Sequence, residues 1–189
     1  YFSIVNLKVN GGIMITGSHN PADQNGIKPC IGRDSVYGDD IQKLRQMIEA
    51  KDFASGKGTI KQFEIIPVYQ EHLRKSFQFK SKLRVVADSG NGTAGLVAPK
   101  LMRDLGVDVI ELFSEPDSRF PNHHPDPTIE KNLQDLIRTV REQKADVGLA
   151  YDGDADRIGV VDEQGNIIWG DKLMILFSRF ILEQKPGAK

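Results

Sequence analysis

Apolar positions fall into two spacings along the chain, and each assigns its own elements. Short unbroken runs bounded by turn residues read as strands. They are Ile13-Met14-Ile15, expected to be buried, the strand-like run Ile27 to Ile31, Leu83 to Ala87, Val107 to Leu112 and Ala145 to Tyr151. Gly159 to Asp162 and Asn166 to Trp169 flank Gln164-Gly165 and read as a hairpin. Helical spacing accounts for most of the remainder. Tyr1 to Val9 reads as the end of a helix, broken by Gly11-Gly12. Asp39 or Asp40 is placed to cap a helix through Ile41, Leu44, Ile48 and Ala50. Ile65 to Phe79 tolerates Pro67 in its first turn. Thr93 is expected to cap a helix to about Leu105 that Gly106 ends. Further helices are expected from Thr128 to about Lys144, with Leu133, Leu136, Ile137 and Val140 on one face, and from Leu173 to Leu182. Strands alternating with helices predict an α/β fold, with helices layered on mixed, mostly parallel sheets. Lys51 to Gly58, with Ser55-Gly56-Lys57-Gly58, is the best linker.

Composition narrows the setting. The 189 residues are 39% hydrophobic and 27% charged, with a formal net charge of −1, ordinary values for a globular protein. That balance offers no reason to expect nucleic acid or a membrane surface as partner. The one cysteine, Cys30, excludes an intramolecular disulfide and fits a cytoplasmic location. No run reaches membrane-spanning length. The start lacks an initiator Met and a signal-peptide pattern, and the end looks cut, so a fragment is expected.

Two loops carry candidate chemistry. In the first, Thr16-Gly17-Ser18-His19-Asn20-Pro21 follows an apolar run. That placement exposes the Ser18 hydroxyl on a loop, as a nucleophile or phosphate carrier. Lys28 follows on the next strand, where the bland alternative is a surface lysine. His19 is placed either to bond a phosphate or to stabilise the loop. In the second, Asp152-Gly153-Asp154-Ala155-Asp156-Arg157 lies just past a strand. Carboxylates at every second position can converge on one cation, and hard oxygen ligands suit Mg²⁺. The alternative is a solvated acidic loop. An EF-hand is rejected because Arg157 stands where that loop needs glycine, and because strands rather than helices flank it. An aspartyl nucleophile on Asp152-x-Asp154, as in haloacid-dehalogenase-type phosphatases, is disfavoured by Asp156. His123 and His124 read as a structural loop rather than metal ligands. Gly90-x-Gly92-x-x-Gly95 matches the letters of a dinucleotide fingerprint but reads better as a tightly packed strand-to-helix turn.

A serine, a lysine and a divalent-cation site together suit phosphoryl transfer, in which positioning and charge stabilisation supply most of the catalysis. A phosphoserine at Ser18 would carry about −1.5 to −2 charge. A cation held by Asp152, Asp154 and Asp156, with Ser18 itself as a fourth ligand, would balance it. Arg157 would lie beside the phosphate, and Lys28 would move a proton to or from the acceptor hydroxyl.

The same residues resemble a known family. Thr16 to Pro21 is similar to the phosphoserine loop of the α-D-phosphohexomutases, and Asp152 to Arg157 to their metal loop. Asn25-Gly26-Ile27-Lys28 resembles the segment with their acid/base lysine. Phe120 to Pro127 and Asp88 to Gly92 resemble the bacterial phosphomannomutase/phosphoglucomutase branch. Gly17 departs from the alanine common there. The resemblance implies two of four domains, the first incomplete: residues 1–58 as the latter part of domain 1 with its linker, 59–169 as domain 2, and 170–189 as the start of domain 3. It implies a parent enzyme that interconverts hexose 1-phosphate and hexose 6-phosphate, of mannose or glucose, through a phosphoserine and a bisphosphorylated sugar. The fragment alone is expected to turn over little. A monomer is compatible with this reading. The competing functions are a Mg²⁺-dependent phosphohydrolase with an aspartyl nucleophile and a non-catalytic sugar-phosphate-binding module.

Overall fold

The computed structural model describes residues 1–18, 20–21 and 23–188. The chain divides into two compact units, Tyr1–Thr16 with Asn25–Glu71, and Gly17–Gln24 with His72–Lys189. The elements are α1 (Phe2–Leu7), β1 (Gly11–Thr16), β2 (Gly26–Ile31), β3 (Asp34–Ser35), α2 (Asp39–Glu49), α3 (Ile65–Ser76), β4 (Arg84–Asp88), α4 (Ala98–Asp104), β5 (Asp108–Leu112), α5 (Gln134–Gln143), β6 (Val147–Tyr151), β7 (Ile158–Asp162), β8 (Ile167–Ile168) and α6 (Gly170–Gln184).

In the first unit, β1, β2 and β3 form an antiparallel sheet in that order. Gly11 pairs with Ile31 at one end of the β1–β2 ladder and Thr16 with Gly26 at the other. Ile4 of α1 is buried, and its side chain lies against Gly12. The Phe2 ring packs on Tyr69 of α3 at 5.0 Å between centroids. Two expectations are corrected here. Ile13, Met14 and Ile15 form a strand, but their side chains are exposed, because an apolar run sets the strand and only covering elements bury it. Asp39 and Asp40 sit in the first turn of α2, where carboxylates favour the helix dipole, while Gly38 holds the N-cap without a side-chain bond.

The second unit holds a five-stranded sheet of order β5-β4-β6-β7-β8. The mixed sheet matches the sequence reading, but parallel pairing is narrower than expected. It is confined to β5–β4–β6, while β7 and β8 run antiparallel to their neighbours. Connection length explains this. Helices join β4 to β5 and β5 to β6, whereas residues 152–157 and 163–166 are too short for a parallel crossover, which needs about a dozen residues.

Helix α5 covers one face of this sheet, and a core of Val86, Leu133, Leu136, Val140, Ala145, Ala150 and Val161 fills the space between. A second cluster of Val85, Ala87, Val107 and Val109, joined by Met102 of α4, fills the other face. Buried branched residues on both faces are what a parallel centre requires.

Two expected helices begin late, each for a local reason. Pro99 lacks the N–H that a continuous helix would direct at the Gly95 carbonyl. The chain therefore makes a 3₁₀ turn over Thr93–Leu96 and breaks at Val97 before α4 starts. Thr93 does not cap with its side chain; its hydroxyl donates to the Gly153 carbonyl at 3.2 Å. Thr128 is held by Asp126 through its N–H at 3.0 Å and its hydroxyl at 2.7 Å, an arrangement that competes with helix. A 3₁₀ turn over Glu130–Leu133 then leads into α5. Helix α6 is longer than expected and largely exposed. Among the described residues, no helix is long and apolar enough to cross a membrane.

Candidate active site

Ser18, Asp152, Asp154, Asp156 and Arg157 all belong to the second unit. Ser18 adopts a left-handed backbone with φ of 49°, uncommon for a residue with a side chain and the sign of a position held by its surroundings. Its hydroxyl donates to Asp152 Oδ2 at 2.9 Å.

Asp152 is fully buried at the C-terminal end of β6. The same Oδ2 accepts from Arg157 Nε at 3.1 Å, and Oδ1 accepts from the Arg157 backbone N–H at 3.0 Å. The loop between β6 and β7 is thus closed by its first carboxylate on its last residue. Within it the Ala155 N–H donates to the Asp152 carbonyl at 3.0 Å, and Ala155 takes a φ of 60°. This closure brings one oxygen each from Asp152, Asp154 and Asp156 within 4.8 Å of one another. Burial falls along the triplet, from Asp152 inside to Asp156 at the surface.

The donor set fits a hard divalent cation. All three ligands are carboxylate oxygens, and carboxylates this close repel one another unless a cation joins them. Strands flank the loop on both sides, as the rejection of an EF-hand required.

The loop from Asp152 to Arg157 is pinned by contacts that no local pattern announces. The Gly153 carbonyl accepts the N–H of Thr93 at 3.0 Å, tying the loop to the turn after β4. A Cβ on Gly153 would lie 1.9 Å from the Ser18 carbonyl oxygen, so only glycine lets the serine loop come this close. In the β4 turn, a Cβ on Gly92 would meet the Gly153 carbonyl at 2.8 Å. The glycines there serve packing, in keeping with a tight turn.

Beneath that turn, fully buried Asp88 accepts the Gly90 N–H at 2.9 Å and faces His123 Nε2 at 3.0 Å. The other ring nitrogen of His123 faces the His124 carbonyl at 3.0 Å. Both ring nitrogens thus face oxygen atoms that can accept a proton from the ring. Burial alone would lower the His123 pKa, but the hydrogen bond and charge of Asp88 outweigh it and the net shift is upward. His123 thus ties its loop to the buried Asp88 carboxylate, a structural contact in line with the expectation of a structural loop.

Lys28 belongs to the first unit. It stands on β2 opposite Met14, is exposed, and lines a cavity of about 520 Å³ with Ile13, Met14, Ile27 and Cys30. His19 lies outside the described residues. Asp126 escaped sequence reading. It accepts Arg157 Nη1 at 3.2 Å, and the only hint was an acidic residue clamped between Pro125 and Pro127.

Two family models match the chain: the phosphoglucomutase/phosphomannomutase alpha/beta/alpha domain I over residues 1–55 and domain II over residues 67–165. The chain belongs to the phosphoglucomutase/phosphomannomutase family. It is 45% identical over 188 residues to a phosphomannomutase/phosphoglucomutase of Pseudomonas aeruginosa, covering 100% of this chain and 41% of that one. It is 46% identical over 191 residues to a phosphoglucomutase of Neisseria meningitidis serogroup B, covering 100% of this chain and 42% of that one. The crystal structure of a phosphoglucomutase/phosphomannomutase family protein from Burkholderia thailandensis superposes with a TM-score of 0.92 at 42% identity, covering 95% of this chain and 39% of that one. The chain thus spans about two fifths of the length of the curated relatives it matches.

Proposed function

We propose that this chain carries the phosphoryl-donor half of a hexose-phosphate mutase, with Ser18 as the phosphoryl carrier. The observation that supports this best is the 2.9 Å hydrogen bond from the Ser18 hydroxyl to buried Asp152, the first of three converging carboxylates. The names of the relatives, phosphomannomutase and phosphoglucomutase, supply the substrate class.

In this reading Ser18 is phosphorylated in the resting enzyme. A sugar hydroxyl attacks the phosphorus, its O–P bond forms, and the Ser18 Oγ–P bond breaks with its electron pair staying on Oγ, which keeps that charge until it attacks the other phosphoryl group in the return step. The hydroxyl proton passes to Lys28, which enters this step unprotonated. The bisphosphorylated sugar turns over, and the reverse sequence returns the other phosphoryl group to Ser18 with Lys28 giving back the proton. Arg157 lies beside the transferring group and offsets its charge. Asp152, Asp154 and Asp156, with Ser18, would hold Mg²⁺, which neutralises phosphoryl oxygens when bound. The linker runs through the residues after α2, with domain 1 ending near residue 58, domain 2 extending to about 169 and the next domain beginning at α6.

The test is label transfer from a ³²P-labelled hexose 1,6-bisphosphate to the purified chain, with the site mapped by mass spectrometry. Label is expected on Ser18 and absent in Ser18→Ala. Label on Asp152 instead would point to an aspartyl-nucleophile hydrolase, and no label on either would remove the carrier reading. Steady conversion of hexose 1-phosphate by the 189-residue chain is expected to be low.

A further inference from the structure

We propose that Asp126 is a positioning residue for the metal loop and that it acts through Arg157. The proposal rests on reading Asp152, Asp154 and Asp156 as a divalent-cation site. It goes beyond that reading in assigning a role to a carboxylate outside the cluster, 26 residues before Asp152 in the chain.

Arg157 lies between two carboxylates. Its Nε donates to Asp152 Oδ2 at 3.1 Å and its Nη1 to Asp126 Oδ1 at 3.2 Å. The Asp126 side chain is 13% exposed and that of Arg157 30%, so neither ion is well hydrated. The geometry of Asp126 is set apart from Arg157. Its Oδ1 also accepts the N–H and hydroxyl of Thr128, and its backbone carbonyl accepts Asn132 Nδ2 at 3.0 Å. Pro125 and Pro127 fix the backbone on either side. Both are packed: a Cβ on Gly90 would touch Pro125, and a Cβ on Gly159 would touch Pro127. Asp126 is therefore a rigid anchor, and Arg157 is the movable partner.

The division of charge gives this anchor a consequence. Asp152 is the buried member of the triad, and a cation there needs its negative charge. An arginine satisfied only by Asp152 would compete with the cation for that oxygen. Asp126 takes part of the guanidinium charge and fixes its direction, so Asp152 keeps charge and lone pairs for the cation and the Ser18 hydroxyl. Residues that orient metal ligands from outside typically change affinity about 10- to 100-fold when altered.

The experiment measures Mn²⁺ affinity of the full chain by electron paramagnetic resonance, with Mg²⁺ as competitor, in the unaltered protein and in Asp126→Asn, Arg157→Gln, the double variant and Asp154→Asn. Asp126→Asn is expected to weaken binding about tenfold, and to add nothing once Arg157→Gln is present. An unchanged affinity in Asp126→Asn overturns the proposal, as does an equal loss in both backgrounds, which would mark a general charge effect. Should Arg157→Gln abolish binding, the Arg157 Nε–H resonance decides. Its shift in Asp126→Asn supports the coupling, and an unmoved resonance overturns it. Should Asp126→Asn fail to fold, Thr128→Val loosens the same carboxylate, and an unaltered affinity there overturns the proposal. No Mn²⁺ binding in the unaltered chain removes the cation reading and this proposal together. Binding lost in Asp154→Asn but intact in Asp126→Asn removes only the proposal.

Discussion

Val85-Val86-Ala87 on β4 and Ile13-Met14-Ile15 on β1 are equally apolar triplets in opposite surroundings. The first is 4%, 0% and 0% exposed, the second 71%, 46% and 65%. Both make strands, so the apolar string determines backbone conformation in each. Burial differs because β4 has ladder partners on both edges and packed residues on both faces, including Met102 of α4 and Leu136 and Val140 of α5. The lesson is that a strand's sequence records its conformation, while its burial is recorded in whatever else packs there.

The largest test of this contrast sets Leu136→Ala against Ile13→Ala in chemical denaturation. Leu136 is fully buried in the core of the second unit, so its truncation is expected to cost about 3–4 kcal/mol. The exposed Ile13 is expected to cost about 0.5 kcal/mol or less. Equal losses would mean that β1 is covered in solution.

A somewhat smaller effect concerns the buried ion pair of Asp88 and His123 in the second unit. His123→Gln leaves a buried carboxylate without its cation, at a cost of about 3 kcal/mol. Because the folded pKa of His123 is raised, its contribution is complete below the unfolded value of about 6.5 and is lost as pH rises through the folded value. Denaturation midpoints are therefore expected to fall with rising pH in that range, and His123→Gln should flatten the slope. An unchanged slope would assign the pH dependence elsewhere.

The smallest effect belongs to the surface. Arg119 holds the Asp117 carboxyl down to about 2, through side-chain and backbone hydrogen bonds and charge. The Arg119 side chain is exposed, and solvent screens such pairs. Arg119→Ala is expected to leave the melting temperature unchanged while the Asp117 resonance titrates at higher pH. A melting shift of several degrees would show that this segment is more buried than it looks.

What was legible in the sequence follows the range of the interactions involved. Strands β4, β6 and β7 and helix α5 were readable because their residues carry periodicity within a few positions. Ser18 and the Asp152–Asp156 triplet were readable because each motif is contiguous. The late starts of α4 and α5 depend on Pro99 and on the Asp126–Thr128 turn, which apolar spacing does not register. Asp126 reaches Arg157 across 31 positions, and His123 reaches Asp88 across 35. Partners that far apart leave no mark on a local pattern. His123 could be read as structural for want of other metal ligands, but its partner could not be named.

Gly153 carries no functional group, yet a single methyl there would collide with the Ser18 carbonyl. Gly153→Ala is therefore expected to force the serine loop and the Asp152–Arg157 loop apart. That change removes no polar atom; it only replaces one hydrogen with a methyl group. The separation of serine and carboxylate is thus set at a position with no side chain of its own. Designers wishing to part the two loops while sparing every reactive side chain have their lever there.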